Sequence, residues 1–261
     1  MSETIMNSIE LIKSTLEDLN LKHWGSQLDE DMKGLSPELR QTLVSLLHKW
    51  GAHEQSERLS RRITQRINAA QFIKIQTIDK FDFDYNKSTR AIKKTYMTLF
   101  NEIDKDNLPS AVFTGTAGLG KTHLARALGY AACQKNISVR FITTAKMVNA
   151  LSSAQRDHNL EHELNKYRRP QLLILDELGY LTMDNEASNV FFQVISARHD
   201  MSLGTIATTN IAFGNFNQTF ANNAIAHAIV DRLASDAEAF YLEGPSYRPI
   251  LKEKKKNDRK K

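Results

Sequence analysis

The sequence predicts an α/β fold, with a parallel five-stranded sheet flanked by helices and preceded by a small all-α N-terminal domain. Helical periodicity dominates the first 75 residues, and beyond them short apolar runs alternate with helical patterns, as a parallel sheet requires. One apolar run leads into Gly-Thr-Ala-Gly-Leu-Gly-Lys-Thr at 115–122, which fits the phosphate-binding pattern G-x-x-x-x-G-K-[ST] and precedes a helix. We expect a helical domain at 1–75, an α/β domain at 76–250 and a disordered basic tail at 251–261.

The N-terminal segment is predicted to contain three helices. Apolar side chains of the first helix recur at helical spacing, at Ile9, Ile12, Leu16 and Leu19. Ser36 and Pro37 predict the start of a second helix, with Ser36 as N-cap and Pro37 at the first helical position. A separate third helix is expected from 54 to about 72, and Gly25 and Gly34 are expected in turns.

The third predicted helix coincides with an abrupt change of charge. Residues 1–54 carry five basic and nine acidic side chains, whereas 55–75 carry five basic and one acidic. Such a cluster is either a solvated helix face or a surface that contacts phosphates, and the charge pattern alone does not decide between them.

The C-terminal segment is predicted to alternate strands and helices. Apolar runs place the strands at 111–114, 139–143, 172–175, 205–209 and 239–242. Helices are expected at 123–134, 145–151, 187–199 and 222–233.

The glycine-rich loop predicts a nucleoside triphosphate site. Its phosphate-binding residues are Gly115, Thr116, Ala117, Gly118, Leu119, Gly120, Lys121 and Thr122. Lys121 is expected to reach the β- and γ-phosphates, and the Thr122 hydroxyl to hold Mg²⁺.

Two carboxylates follow the third predicted strand, where sites form in parallel sheets. Asp176 is expected to hold Mg²⁺ through a water, and Glu177 to act as general base. A second carboxylate favours hydrolysis, because a small-molecule kinase must keep water away from the γ-phosphate. Asn210 could orient the attacking water. Arg232 is either a finger for a neighbouring subunit's γ-phosphate or a charge that stabilises its own helix end.

Composition narrows the class of protein. Hydrophobic residues make up 41% of the chain, and Cys133 is the only cysteine, so no internal disulfide can form. Residues 1–20 carry acids and no unbroken apolar run, so we expect no secretory signal and a cytoplasmic protein that does not enter a membrane. Residues 252–261 hold seven basic and two acidic side chains and account for the whole net charge of +5.

Five motifs together resemble those of AAA+ ATPases of the IstB/DnaC type, and most closely IstB-like transposition helper proteins. They lie at 115–124, 172–181, 208–210, 229–233 and 243–248. The resemblance implies a helical domain followed by one P-loop AAA+ module that binds ATP and Mg²⁺. It further implies homo-oligomeric assembly, as a ring or helical filament, on double-stranded DNA, with recruitment and stimulation of a cognate transposase.

Carried over by position, the resemblance assigns roles to single residues. Lys121 and Thr122 bind phosphate and Mg²⁺, Asp176 and Glu177 form the second nucleotide motif, Asn210 is a sensor, and Arg232 is a finger that acts in trans. Arg248 is expected to contact nucleotide or partner. Only nineteen residues follow Leu242, too few for the helical lid of larger AAA+ proteins.

The DNA of such an assembly would be held mostly through its phosphates. Candidate contacts are Arg58, Arg61, Arg62, Arg66, Lys74, Arg168 and Arg169. Two alternatives stay open at this point. A replicative helicase loader of the DnaC kind would bind single-stranded DNA and a helicase ring, and a small-molecule kinase would be monomeric and indifferent to DNA.

Overall fold

The computed structural model describes residues 2–249, without the side chains of 2–9, 22, 26, 29, 213 and 217. The basic tail expected at 251–261 lies outside these residues. The chain divides into two compact units, and the boundary falls between Thr64 and Gln65. Within the described part of the chain, no helix is both long and apolar enough to cross a bilayer.

The N-terminal unit is built from helices. They are α1 (Ser2–Asp18), α2 (Lys22–Lys33) and α3 (Pro37–Ala69), whose last residues belong to the second unit. Ile12 and Leu16 of α1 pack with Leu28 and Met32 of α2 in a small core. The predicted helix start is confirmed, because the Leu39 N–H donates to Ser36 Oγ at 3.3 Å.

Two details of the predicted N-terminal helices are wrong. The second and third predicted helices are one continuous helix, α3. Gly25 lies inside α2 instead of in a turn, whereas Gly34 does cap the end of α2. Glycine lowers helix stability by about 1 kcal/mol but does not block helical hydrogen bonds, so tertiary packing can override it.

Gly51 lies in α3 between the two helices that were predicted separately. It is buried in the middle of the helix, and a Cβ placed there would lie 2.6 Å from Thr15 Cγ2 of α1. The glycine therefore allows α1 to approach the backbone of α3 closely. Gly51 serves the packing of these two helices and does not form a turn.

The C-terminal unit contains a parallel sheet, as predicted. Its strands are β1 (Ala111–Gly115), β2 (Val139–Thr143), β3 (Leu172–Leu178), β4 (Gly204–Thr209) and β5 (Glu238–Leu242). Their order in the sheet is β2-β3-β4-β1-β5, and every pairing is parallel. The carboxyl ends of β3, β4 and β1 are therefore adjacent, which is the edge where sequence motifs had placed the site.

Helices cover both faces of this sheet. They are α4 (Lys87–Asn101), α5 (Lys121–Gln134), α6 (Thr144–Arg156), α7 (Leu160–Arg168), α8 (Asn185–Asp200) and α9 (Asn223–Ala234). Residues of α4 and α5 share one core with Phe113 and Phe240, and residues of α6 to α9 share another with Leu173 and Leu175. The helices α2, α4 and α7 were not predicted. Short 3₁₀ turns lie at Ile78–Lys80 and Phe213–Gln218.

Candidate nucleotide-binding site

The loop 115–122 connects β1 to the first turn of α5, the arrangement that its motif requires. Gly118 has φ +84°, and a Cβ there would lie 2.1 Å from Ser246 Oγ, so only glycine fits. Because α5 begins at Lys121, its unpaired N-terminal N–H groups and its positive dipole end lie at this loop. This is a favourable place for phosphate.

Lys121 lies within the same loop. Its Nζ donates to the carbonyl oxygens of Gly115 at 2.6 Å and Thr116 at 2.9 Å. Burial lowers the pKa of Lys121, the Asp176 carboxylate raises it, and the Arg248 guanidinium lowers it further. Two cationic groups therefore share the space in front of the loop, and a polyanion there would relieve their repulsion.

Asp176 lies at the centre of the site and is only 3% exposed. Its Oδ1 accepts hydrogen bonds from the hydroxyls of Thr122 at 2.7 Å and Thr208 at 2.6 Å. A buried carboxylate beside a threonine hydroxyl provides the oxygen ligands that Mg²⁺ prefers, so these residues fit the expected ion.

Glu177 is exposed and adopts φ +61°, which is uncommon for a residue other than glycine. The pairing of β3 with β4 shifts register between Leu175 and Leu178, so the two carboxylates lie in an irregular stretch of the strand. Such irregularities re-aim side chains beside active sites. The Glu177 N–H donates to Thr208 Oγ1 at 3.1 Å, which fixes its backbone next to Asp176.

These groups line a cavity of about 600 Å³, within the size range of small-molecule sites. Five basic side chains line it: Lys74, Lys80, Lys121, Arg126 and Arg248. Three acidic side chains line it: Asp82, Asp176 and Glu177. Burial lowers the pKa of His123, also in the wall, from 6.5, so it is mostly neutral at pH 7 and the lining carries a net charge of +2. The cavity therefore favours an anionic ligand.

The segment after β5 closes part of this cavity. The Tyr247 N–H donates to the Gly118 carbonyl at 3.0 Å, and the Tyr85 hydroxyl donates to the Pro245 carbonyl, also at 3.0 Å. The rings of Tyr85 and Tyr247 meet edge to face at 4.7 Å. These contacts hold Arg248 at the cavity wall, next to the phosphate loop.

Four residues predicted for the nucleotide site are not part of the cavity lining: Gly115, Thr116, Asn210 and Arg232. Asn210 is exposed directly after β4, a strand that does pair with β1 as expected, but its side chain is not part of the lining. Arg232 lies on α9 with its guanidinium 4.9 Å from the ring centroid of Phe192, and its Nη1 donates to the Ala228 carbonyl at 3.3 Å. One copy of the chain therefore does not bring Arg232 to its own phosphate loop.

Three candidate DNA contacts lie on α3 in the N-terminal unit. Arg58 and Arg61 both reach Glu54, at 2.7 and 3.5 Å, and Arg61 and Arg62 are exposed. Because the first two are partly neutralised by an acid, the cluster is less cationic than its sequence suggests.

The other four candidates lie in the C-terminal unit. Arg66 is half-buried, Arg169 is exposed, and Arg168 forms an ion pair with Glu161 at 3.2 Å. Lys74 lines the cavity, so its position also suits contact with a bound nucleotide.

Sequence reasoning missed two side chains that contact Asp176. For Thr208 the signal is a hydroxyl at the end of an apolar predicted strand, two positions before the predicted sensor Asn210. Arg126 approaches Asp176 Oδ2 with Nη2 at 3.7 Å. Its signal is a charge one helical turn after Thr122, on a helix that is otherwise largely apolar.

Comparison with known proteins agrees with this geometry. A family model described as an IstB-like ATP binding protein matches residues 14–257. The chain is 32% identical over 252 residues to the ATP-binding protein of insertion sequence IS232 from Bacillus thuringiensis subsp. berliner, covering 97% of this chain and 99% of that one. It is 34% identical over 205 residues to the ATP-binding protein of insertion sequence IS5376 from Geobacillus stearothermophilus, covering 78% and 79% respectively.

Among solved structures, the DnaC helicase loader superposes with a TM-score of 0.55 at 20% identity, covering 62% of this chain and 96% of that one. At this identity the likeness concerns the fold. The α/β unit has the P-loop AAA+ fold, with a helical region before it.

Proposed function

Since the chain belongs to the IstB-like ATP binding protein family, we propose that it is an ATPase that assembles on double-stranded DNA and recruits the transposase of its insertion sequence. The proposal of ATPase activity depends on one observation: Thr122, Asp176 and Glu177 lie close together in the lining of a positively charged cavity. The relation to insertion-sequence proteins over nearly the whole chain supports the transposition part.

ATP is the first ligand of this mechanism. The loop 115–122 and the Lys121 ammonium bind its phosphates, and Thr122 with Asp176 holds Mg²⁺. When bound, the ion neutralises charge that develops on the phosphate oxygens. Glu177 takes a proton from the attacking water, and Thr208 holds the Asp176 carboxylate beside the backbone of Glu177.

The second part of the mechanism is assembly. Arg232 lies outside the cavity of its own chain, which supports a role at the cavity of a neighbouring copy. A head-to-tail contact of this kind generates a ring where it closes and a helical filament where it does not. ATP then joins adjacent copies, and its hydrolysis weakens the contact between them.

Duplex DNA is the proposed template for the assembly. Arg61, Arg62 and Arg169 are the exposed arginines among the candidate contacts. Because Arg61 lies 3.5 Å from the Glu54 carboxylate, Arg62 and Arg169 are best suited to bind phosphates. The competing function is a helicase loader of the DnaC kind. The relation to DnaC is a likeness of fold at 20% identity, so we favour the transposition role.

Sedimentation distinguishes these functions. With a non-hydrolysable ATP analogue and duplex DNA, the protein should sediment as a large complex, and single-stranded DNA should not replace the duplex. Lys121→Ala should stay small because its loop loses the phosphate contact, whereas Lys146→Ala, which removes an exposed lysine outside the cavity, should assemble normally. Equal assembly on single-stranded DNA would favour the helicase loader, and no assembly on either DNA would contradict the proposal.

A further inference from the structure

Arg126 is a largely buried cation in the nucleotide cavity, and the proposed mechanism gives it no role. It lies on α5, one turn after Thr122, and its side chain is 13% exposed. Its Nη2 lies 3.7 Å from Asp176 Oδ2, while the opposite oxygen of the same carboxylate is bonded to Thr122 and Thr208. Both oxygens of Asp176 therefore face groups of the protein.

The guanidinium of Arg126 is held in this place from several sides. Its centre lies 4.5 Å above the ring of Phe141, and Nη1 donates to Gln76 Oε1 at 3.2 Å. Within the described residues, Asp176 is the carboxylate that comes within ion-pair distance of Arg126. A guanidinium fixed in this way is an orienting element of the site and cannot swing freely into solvent.

The guanidinium of Arg126 keeps its positive charge in this position. Burial lowers the pKa of Arg126 while the Asp176 and Glu177 carboxylates raise it, and an arginine stays protonated at neutral pH. Arg126 and a divalent cation bound by Asp176 would therefore both interact with the same carboxylate.

We propose that Arg126 is the internal counter-ion of Asp176, a positioning residue that neutralises this carboxylate and competes there with Mg²⁺. The inference rests on the proposed nucleotide site and deepens it. A bare Asp176 would repel ATP phosphates, so Arg126 permits nucleotide to bind before a metal does. The same charge weakens the hold of Asp176 on the ion, so Arg126 limits how strongly nucleotide binding depends on Mg²⁺.

The test measures binding of a non-hydrolysable ATP analogue by calorimetry, once in EDTA and once at saturating Mg²⁺. The ratio of the two dissociation constants gives the coupling between metal and nucleotide. Arg126→Met keeps an apolar stem over Phe141 and removes the charge. It should bind about tenfold more weakly in EDTA, yet within about threefold of wild type with Mg²⁺, because the ion then neutralises Asp176. Arg126→Gln, a second neutral variant, should behave likewise.

Two further variants act as controls. Arg126→Lys keeps the charge and should leave the coupling ratio within about threefold of wild type. Arg156→Met removes an exposed charge at the far end of α6 and should not change the ratio. If Arg126→Met weakens binding equally in EDTA and in Mg²⁺, Arg126 is a phosphate ligand and the inference is wrong. An unchanged ratio with no loss in EDTA also overturns it. If wild-type protein binds no nucleotide under either condition, the proposed function itself fails.

Discussion

Thr208 is the side chain that connects the two acidic residues of the site. Its hydroxyl donates to Asp176 Oδ1 and accepts the Glu177 N–H, so one residue of β4 orients two consecutive residues of β3. The buried carboxylate and the exposed one are therefore suited to different tasks. Asp176 has the geometry of a metal ligand, and Glu177 has the access to water that a general base needs.

Glu177→Gln tests this division of tasks. The amide keeps the size of the side chain but cannot take a proton, so ATP turnover should fall by about 10²–10⁴-fold. ATP-dependent assembly on duplex DNA should persist because the phosphate contacts are untouched. Turnover is measured by phosphate release and assembly by sedimentation. Glu186→Gln, an exposed carboxylate at the start of α8, should behave like wild type. Normal turnover of Glu177→Gln would remove Glu177 from the role of base.

The helix α3 shows how tertiary packing decides an element. A separate helix was expected from residue 54, yet α3 runs through this point, and Gly51 is buried against Thr15 of α1 although glycine is a poor helix former. A single sequence indicates the helix propensity of each residue, but it does not show which other helix packs against that residue. The same limitation hid α2, α4 and α7.

Gly51→Ala measures this packing. In an isolated helix the change would stabilise by about 1 kcal/mol, but here the new methyl meets Thr15 Cγ2, so we expect a net loss of stability of about 1 kcal/mol or more. In a Thr15→Ser background, which removes that methyl group and keeps the hydroxyl, the same change should become stabilising.

Tryptophan fluorescence during denaturant unfolding reports the result, since both tryptophans of the chain, Trp24 and Trp50, lie in the N-terminal unit. If Gly51→Ala stabilised the unit equally in both backgrounds, the close approach of α1 to α3 would not exist in solution.

At the scale of the whole molecule, the sequence was sufficient to predict the parallel sheet and to place the phosphate loop and Asp176 at its carboxyl edge. The strands, the phosphate loop and Asp176 follow from local patterns, because buried parallel strands and glycine-rich turns have strong signals. The contacts of Thr208 and Arg126 could not be predicted, since they depend on the register shift in β3 and on how α5 packs against β2. The closing segment around Tyr247 likewise depends on contacts far apart in sequence.

The central claim is that the cavity of one copy is completed by Arg232 of another, and mixing two defective variants tests it most directly. Lys121→Ala has a defective phosphate loop and an intact Arg232, whereas Arg232→Ala has an intact loop and should lose about 10³-fold in turnover. In the presence of ATP and duplex DNA, each variant alone should be nearly inactive. The mixture should regain turnover, because an intact cavity then meets an intact arginine. No recovery on mixing, or normal hydrolysis by Arg232→Ala alone, would contradict the account.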